Sequence, residues 1–136
     1  MKNLATAAGV EGHLHIESAA TSCEEIGNAV YPPAMRELAR HGISCEGKRA
    51  RRITAADFST YDMIIVMEDY NIKNMRNLPV ECGKVWKLLD FASCAAGSAT
   101  PLSGGDISDP WYHGDFATTY NEIELGCSGL LTYLGF

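Results

Sequence analysis

The order of hydrophobic and polar residues along the chain changes repeatedly between a helical period and a strand period. Helices are predicted where apolar residues recur every three or four positions, and strands where they alternate with polar ones or form a short run. The predicted helices are 2–8, 32–41, 55–60, 69–78 and 116–133, and the predicted strands are 13–19, 62–67 and 84–89. This alternation is typical of an α/β fold with right-handed crossovers.

The apolar run at 62–67 indicates the kind of sheet. A strand that is apolar throughout is buried on both faces, as in a parallel sheet covered by helices. The predicted fold class is therefore α/β with three layers, a mainly parallel sheet with helices on both faces. Thr54 and Asp57 form a capping box for the third helix, and Asp115 is the predicted N-cap of the last one. Residues 90–107 are predicted to be a long loop.

Length and composition predict one soluble domain that covers residues 1–136. A net charge of −6 argues against nucleic acid or an anionic membrane as a partner, and no apolar run is long enough to span a bilayer. The N-terminus lacks the apolar core of a signal peptide. The five cysteines are odd in number and show no C-x-x-C spacing, which argues against a disulfide framework and a zinc site. We therefore predict reduced thiols, a cytoplasmic location, and neither a metal nor a cofactor.

One stretch near the C-terminal end contains the residues that look most like a catalytic group. Pro110 and Gly114 interrupt any regular period, so a loop is predicted there. A residue before proline is biased to extended backbone, so Asp109 would project from a rigid loop. The rings of Trp111 and Tyr112 would form an apolar wall that stacks on a flat substrate. A general acid beside an aromatic leaving group would look like this; the alternative is an Asx-turn with two core aromatics.

The only basic cluster follows the second predicted helix, and it consists of Lys48, Arg49, Arg51 and Arg52. The structural interpretation of this cluster is a solvated turn. The functional interpretation is a patch that steers an anionic substrate.

Four segments of the chain carry a family resemblance. They are Ser18-Ala19-Ala20-Thr21-Ser22 with Gly27; His41-Gly42-Ile43 with Ala50-Arg51-Arg52-Ile53-Thr54; Asp57-Phe58 and Asp62-Met63-Ile64-Ile65-Val66-Met67 with Asn71; and Asp109-Pro110-Trp111-Tyr112. In this order and spacing, the chain resembles the low-molecular-weight protein tyrosine phosphatases over nearly its whole length. The resemblance implies the reaction of that family, which is hydrolysis of phosphotyrosine monoesters through a cysteinyl-phosphate.

The resemblance also implies roles for residues of the last segment. Asp109 would be the general acid that protonates the leaving oxygen, and Trp111 and Tyr112 would line the slot for the phosphotyrosine ring. The expected partner is a phosphotyrosine protein or an aryl phosphate. A second wall of the slot, often aromatic in the family, corresponds here to Ser22-Cys23-Glu24-Glu25 and is therefore altered.

One departure from the family concerns the nucleophile. The family's chemistry rests on a C-x5-R-[ST] loop between the first strand and the first helix, whose amides and arginine cradle the phosphate. These 136 residues contain no such loop, and 2–9 looks like the end of the helix that should follow it. We therefore expect an N-terminally truncated chain, from a shortened gene product or a mis-set start codon, that is inactive as it stands. Cys45 and Arg51 have the spacing but follow a helix cap, so they are not expected to substitute.

The missing segment also affects the expected sheet, because it includes the family's central first strand. In the family that strand lies between the strands that correspond to 13–19 and 62–67. Without it, roughly 9.5 Å, about two strand spacings, would separate two unpaired edges. We expect either that 13–19 moves beside 62–67 or that a second chain fills the space in a homo-oligomer.

Two other functions stay open on the sequence alone. One is a non-catalytic module that binds a phosphorylated or anionic partner through the basic cluster and the aromatic wall. The other is an arsenate reductase, a different reaction on the same type of fold, in which Cys82 and Cys94 would shuttle a disulfide. The reductase would lack the cysteine that starts its cycle, and Trp111 and Tyr112 fit an aryl phosphate better.

Overall fold

The computed structural model describes residues 1–81 and 83–136. Its helices are α1 (Lys2–Ala7), α2 (Pro32–Arg40), α3 (Ala55–Thr60), α4 (Asp69–Asn74), α5 (Ala92–Ala95), α6 (Pro110–His113) and α7 (Phe116–Tyr133). Its strands are β1 (Ile64–Val66) and β2 (Val85–Lys87), and 3-10 turns occur at Glu11–His13 and Leu88–Phe91. Among these residues, no helix has both the length and the apolar character needed to cross a membrane.

The sheet is a parallel pair of strands. β1 and β2 pair with Ile64 opposite Val85, and the register continues along both strands. The predicted α/β class, a parallel sheet with helices, is therefore confirmed. Both strands are shorter than predicted. β2 runs directly into the 3-10 turn Leu88–Phe91, and β1 ends before Met67, whose N–H donates to Asn71 Oδ1 at 3.0 Å.

The strand predicted at 13–19 is wrong. Glu11–His13 forms a 3-10 turn, and 14–19 has no regular structure. The first pairing after this segment is a single parallel bridge between Ala20 and Arg52. The segment does not move beside β1 either, because β1 pairs only with β2 in the part of the chain described. A strand needs a neighbour for its N–H and C=O groups, and a period of two does not supply one.

Three further features differ from the prediction. The helix predicted at 69–78 stops at Asn74. The loop predicted at 90–107 contains the short helix α5. The strand predicted to be buried on both faces is only half-buried, since Val66 alone among the residues of β1 is fully covered.

The predicted helix caps are confirmed. Asp57 Oδ2 accepts a hydrogen bond from Thr54 N at 2.7 Å, as a capping box at the start of α3 requires. Asp115 Oδ1 accepts one from Thr118 N at 3.0 Å at the start of α7. Helix α7 also spans the predicted range, Phe116–Tyr133.

Helix α7 lies close against the residues that follow β2. Gly129 permits this approach, because a Cβ at that position would lie only 1.8 Å from the carbonyl oxygen of Phe91. A buried apolar cluster at this contact consists of Leu88, Ile107 and Cys127. Ile107 therefore joins the core to the segment that leads into the candidate acid.

Candidate active site

Asp109 stands at the start of a short helix, and not in the irregular loop that was predicted. It is the N-cap of α6, and its Oδ1 accepts a hydrogen bond from Trp111 N at 2.9 Å. Its backbone is extended (φ −82°, ψ 111°), as expected before Pro110. Gly114 ends the helix with φ 73°, a left-handed conformation that favours glycine. The Asp109 side chain is left exposed to solvent.

The two rings that follow the acid are also largely exposed. Trp111 is 65% exposed and Tyr112 is 85% exposed, so the Asx-turn of the alternative interpretation is present but its core aromatics are not. The ring of Tyr31 lies 5.1 Å from that of Trp111 and 6.1 Å from that of Phe116. These three rings form an aromatic cluster in which Tyr31 and Trp111 are exposed and Phe116 is half-buried. Tyr31 is not among the site residues predicted from the sequence, where its only signal is its position directly before Pro32.

A lysine at the end of β2 connects the segment before the acid to α4. Lys87 Nζ lies 3.0 Å from Asp106 Oδ1 and 3.1 Å from Asp69 Oδ1. The hydrogen bond to Asp106, and then that to Asp69, raises the pKa of Lys87. Ile107 N donates to the carbonyl oxygen of Met67 at 2.8 Å, directly after β1. The acid-bearing segment is therefore attached to the ends of both strands.

A further carboxylate, Glu68, lies close enough to the acid for the charge of Asp109 to affect its pKa. Burial raises the pKa of Glu68, and the charges of Asp109 and Asp106 raise it further. In the fold, Glu68 caps α4: its N–H donates to Asn71 Oδ1 at 3.3 Å, and its Oε1 accepts from Asn71 Nδ2 at 3.4 Å. The three-residue spacing of Glu68 and Asn71 is that of a helix cap, but nothing in the sequence indicates that Glu68 lies near Asp109. Within the described residues, no group of three or more His, Cys, Asp or Glu side chains is arranged to hold a metal ion.

The basic cluster is largely engaged within the fold. Arg51 Nη1 and Nη2 donate to the two oxygens of Asp57 at 3.0 and 2.8 Å. Hydrogen bonding from Arg51 is the main reason why the pKa of Asp57 is lowered from 3.8 to about 2. Arg49 donates to a backbone carbonyl at 2.9 Å, and Lys48 Nζ lies 3.6 Å from Glu17 Oε2. These contacts favour the solvated turn over the patch that steers an anion.

The cysteines do not form an alternative nucleophile site in the part of the chain described. The described cysteines, all with free thiols, are Cys23, Cys45, Cys94 and Cys127. Cys94 is only 1% exposed. Cys45 has the spacing to Arg51 of a phosphate loop, but that guanidinium is bonded to Asp57. Cys82, which the arsenate reductase alternative uses, lies outside the described residues.

Nearly the whole chain is similar in sequence and fold to proteins of one family. The sequence profile described as low molecular weight phosphotyrosine protein phosphatase matches residues 1–135. The chain is 30% identical over 132 residues to the low molecular weight protein-tyrosine-phosphatase YfkJ of Bacillus subtilis. It is 33% identical over 138 residues to the low molecular weight phosphotyrosine protein phosphatase of Homo sapiens. Each alignment covers 96% of this chain and 80% of the relative. The crystal structure of YfkJ from Bacillus subtilis matches with a TM-score of 0.85 at 30% identity, over 98% of this chain and 81% of that one. The chain therefore belongs to the low molecular weight phosphotyrosine protein phosphatase family.

Proposed function

We propose that Asp109 is the general acid and base of a phosphotyrosine phosphatase, and that Trp111 and Tyr112 form walls of its substrate slot. The observation that carries this proposal is the exposed Asp109 side chain at the N-cap of α6, followed directly by two rings that are 65% and 85% exposed. Large exposed rings contribute little to the fold and are characteristic of binding surfaces. An aromatic leaving group stacked on them would place its ester oxygen near the carboxyl group.

The proposed reaction has two steps. A cysteine thiolate attacks phosphorus, the bond from phosphorus to the tyrosine oxygen breaks, and Asp109 gives its proton to that oxygen. Water then attacks the cysteinyl-phosphate, Asp109 takes a proton from that water, and the bond from sulfur to phosphorus breaks. Phosphate leaves, the thiolate is restored, and Asp109 is again protonated.

We further propose that these 136 residues do not perform the first step by themselves. None of their cysteines begins a C-x5-R-[ST] pattern. Cys45 and Arg51 approach the pattern, but Arg51 is bonded to Asp57 and Arg52 stands where the pattern requires Ser or Thr. The nucleophile and the phosphate cradle would have to come from a segment outside these residues.

Hydrolysis of p-nitrophenyl phosphate by the purified 136-residue chain tests this part of the proposal. The parent chain is compared with a Cys45→Ser variant, and we expect no turnover from either. Turnover by the parent that the substitution abolishes would overturn the proposal, because Cys45 would then act as a nucleophile.

The role of Asp109 is tested in a longer form of the chain that carries the phosphate loop. Asp109→Asn is expected to lower kcat by about 10²- to 10⁴-fold. The loss should be larger for a phenol of high pKa than for a nitrophenol, because a poor leaving group depends more on protonation. Asp62→Asn, at an exposed position just before β1, is the matched control. An unchanged kcat with the poor leaving group would exclude Asp109 as the acid.

We also propose that the chain self-associates through an edge of its sheet. β1 is paired on one side only within the residues described. Because an unpaired strand edge readily pairs with another chain, we expect a dimer or larger oligomer. Light scattering that gives the monomer mass over a wide concentration range would refute this.

A cytoplasmic location is proposed on the chemistry of the thiols. Four of the five cysteines lie in the described residues and carry free thiols there. Because Cys94 and Cys127 are buried, the lysate is prepared in urea, and alkylation should then label all four thiols without prior reduction. Labelling that requires a reductant would place the protein in an oxidising compartment.

A further inference from the structure

Ser108, the residue directly before Asp109, is joined to helix α7 by three hydrogen bonds. Ser108 N donates to Glu122 Oε2 at 2.8 Å, and Ser108 Oγ donates to Glu122 Oε1 at 3.0 Å. Thr119 Oγ1 donates to the carbonyl oxygen of Ser108 at 2.7 Å. Positions 119 and 122 are three residues apart and therefore lie on one face of the helix. Each polar group of Ser108 is thus bonded to this face.

Two of these bonds involve a charged group, and all three are partly shielded from water. Two of them end on a carboxylate, and hydrogen bonds to charged groups are shorter and stronger than neutral ones. Ser108 and Glu122 are half-buried, and Thr119 is only 9% exposed. The Thr119 hydroxyl also lies 3.2 Å from the carbonyl oxygen of Asp115, at the N-cap of α7. The contact is therefore anchored in the first turns of the longest helix.

The chain is held on the other side of Ser108 as well. Ile107 is 7% exposed in the core, and its N–H donates to the carbonyl oxygen of Met67 at 2.8 Å. After Asp109 the situation changes, because Trp111 is mostly exposed. Ser108 is therefore the residue through which the chain is bonded to α7 directly before the exposed acid.

We propose that Glu122 and Thr119 are positioning residues that set the direction of the Asp109 carboxylate through Ser108. This inference rests on the proposed role of Asp109 as the acid. Neither positioning residue has a hydrogen bond to Asp109 within the described structure, so their influence passes through the Ser108 backbone. Proton transfer requires hydrogen-bond distance to the leaving oxygen, so a small displacement of this backbone would weaken catalysis.

Fluorine NMR of the chain labelled with 5-fluorotryptophan reports directly on this segment. The chain has two tryptophans, so Trp111 and Trp86 give one resonance each, and Trp111→Phe assigns them. The ring of Trp86 is half-buried, 5.8 Å from that of Phe91 and 6.3 Å from that of Tyr133. The Trp86 resonance is therefore an internal reference for the rest of the fold. Hydrogen exchange of the Ser108 amide is the second measurement.

Substitutions of Glu122 separate positioning from general stability. Glu122→Ala removes both acceptors, and we expect a shifted or narrowed Trp111 resonance and about tenfold or more faster exchange at the Ser108 amide. Glu122→Gln retains one carbonyl acceptor, so it should restore much of the parent behaviour. Glu124→Ala is the matched control, because Glu124 is exposed on the same helix and accepts a hydrogen bond from Tyr120. It should leave Trp111 and Ser108 unchanged.

Two results would overturn the inference. One is a Trp111 resonance and a Ser108 exchange rate that are unchanged in Glu122→Ala. The other is an equal change at Trp86 and Trp111, because it would indicate a loosening of the whole fold. If Glu122→Ala does not fold, Thr119→Val is used, because it removes one hydroxyl and keeps a similar shape. It should change the Trp111 resonance in the same direction by a smaller amount. An unchanged Trp111 resonance would again count against positioning.

The role of Asp109 as the acid is tested separately, by enzyme kinetics. In the longer form that carries the phosphate loop, a kcat that Asp109→Asn leaves unchanged would remove Asp109 as the acid, whatever the resonances show. Unchanged NMR observables in the Glu122 and Thr119 variants would remove the positioning role while leaving Asp109 as the acid.

Discussion

Replacement of Asp57 by alanine is expected to destabilise the protein by about 2 kcal/mol at neutral pH. The Asp57 side chain is only 10% exposed and accepts hydrogen bonds from two residues. Both nitrogens of the Arg51 fork donate to it, at 3.0 and 2.8 Å. Thr54 donates through its N–H at 2.7 Å and through its hydroxyl at 3.0 Å. Asp57 thus joins the basic cluster to the start of α3.

The magnitude follows from the pKa of the carboxyl group. Hydrogen bonding from Arg51 is the main cause that lowers the pKa of Asp57 from 3.8 to about 2. Burial acts in the opposite direction, and the hydrogen bonds from Thr54 also lower the pKa. One pKa unit corresponds to about 1.4 kcal/mol, so this shift corresponds to about 2 kcal/mol. The Arg51 side chain is 41% exposed, and solvent screening makes this value an upper bound for the ion pair. Loss of the cap, about 1 kcal/mol, overlaps with the same bonds and is not added in full.

The free energy of unfolding that Asp57 contributes should decrease as the pH falls. The pKa of Asp57 is lower in the folded state than in the unfolded state, so its ionisation stabilises the fold. The stabilisation is complete above about pH 5 and is lost as the pH falls from about 4 through 2. At pH 3, about half of it should remain.

Urea unfolding at pH 7 and pH 3 measures both quantities. Parent, Asp57→Ala, Arg51→Ala and the double variant form a thermodynamic cycle, in which we expect a coupling energy of about 1 kcal/mol or more at pH 7. The deficit of Asp57→Ala relative to the parent should shrink at pH 3. A deficit below about 0.5 kcal/mol at pH 7, or one that is the same at both pH values, would refute the reasoning.

Three further predictions concern the packing and charges around the site. Gly129→Ala should abolish cooperative thermal unfolding or cost more than about 4 kcal/mol, because its Cβ would lie 1.8 Å from the carbonyl oxygen of Phe91; a Tm within a few degrees of the parent would contradict this. Glu68→Gln should raise the urea midpoint at pH 7, because burial and then the charge of Asp109 raise the pKa of Glu68 and make its ionised form unfavourable. This gain should disappear below about pH 4, where Glu68 is protonated in both states. Lys87→Met should speed limited proteolysis of the segment before the acid, because both ion pairs of this lysine are lost; an unchanged cleavage pattern would count against that anchoring role.

The sequence determined the features that depend on residues close together in the chain. The capping box of Thr54 and Asp57 and the N-cap at Asp115 lie within one helical turn, so their residue types and spacing predicted the starts of α3 and α7. The order of short segments likewise identified the family. One local prediction is wrong: Pro110 predicts a loop, but proline is well tolerated in the first turn of a helix and here begins α6.

Tertiary structure alone decided how the acid is held and what surrounds it. Ser108 contacts Glu122 on a later helix, and the ring of Tyr31 reaches that of Trp111 from an earlier part of the chain. The strand predicted at 13–19 failed for the same reason, since a strand exists only where another segment pairs with it. Caps are local hydrogen bonds, whereas strands, ion-pair networks and sites require residues distant in sequence to meet, and no spacing along the chain encodes that meeting.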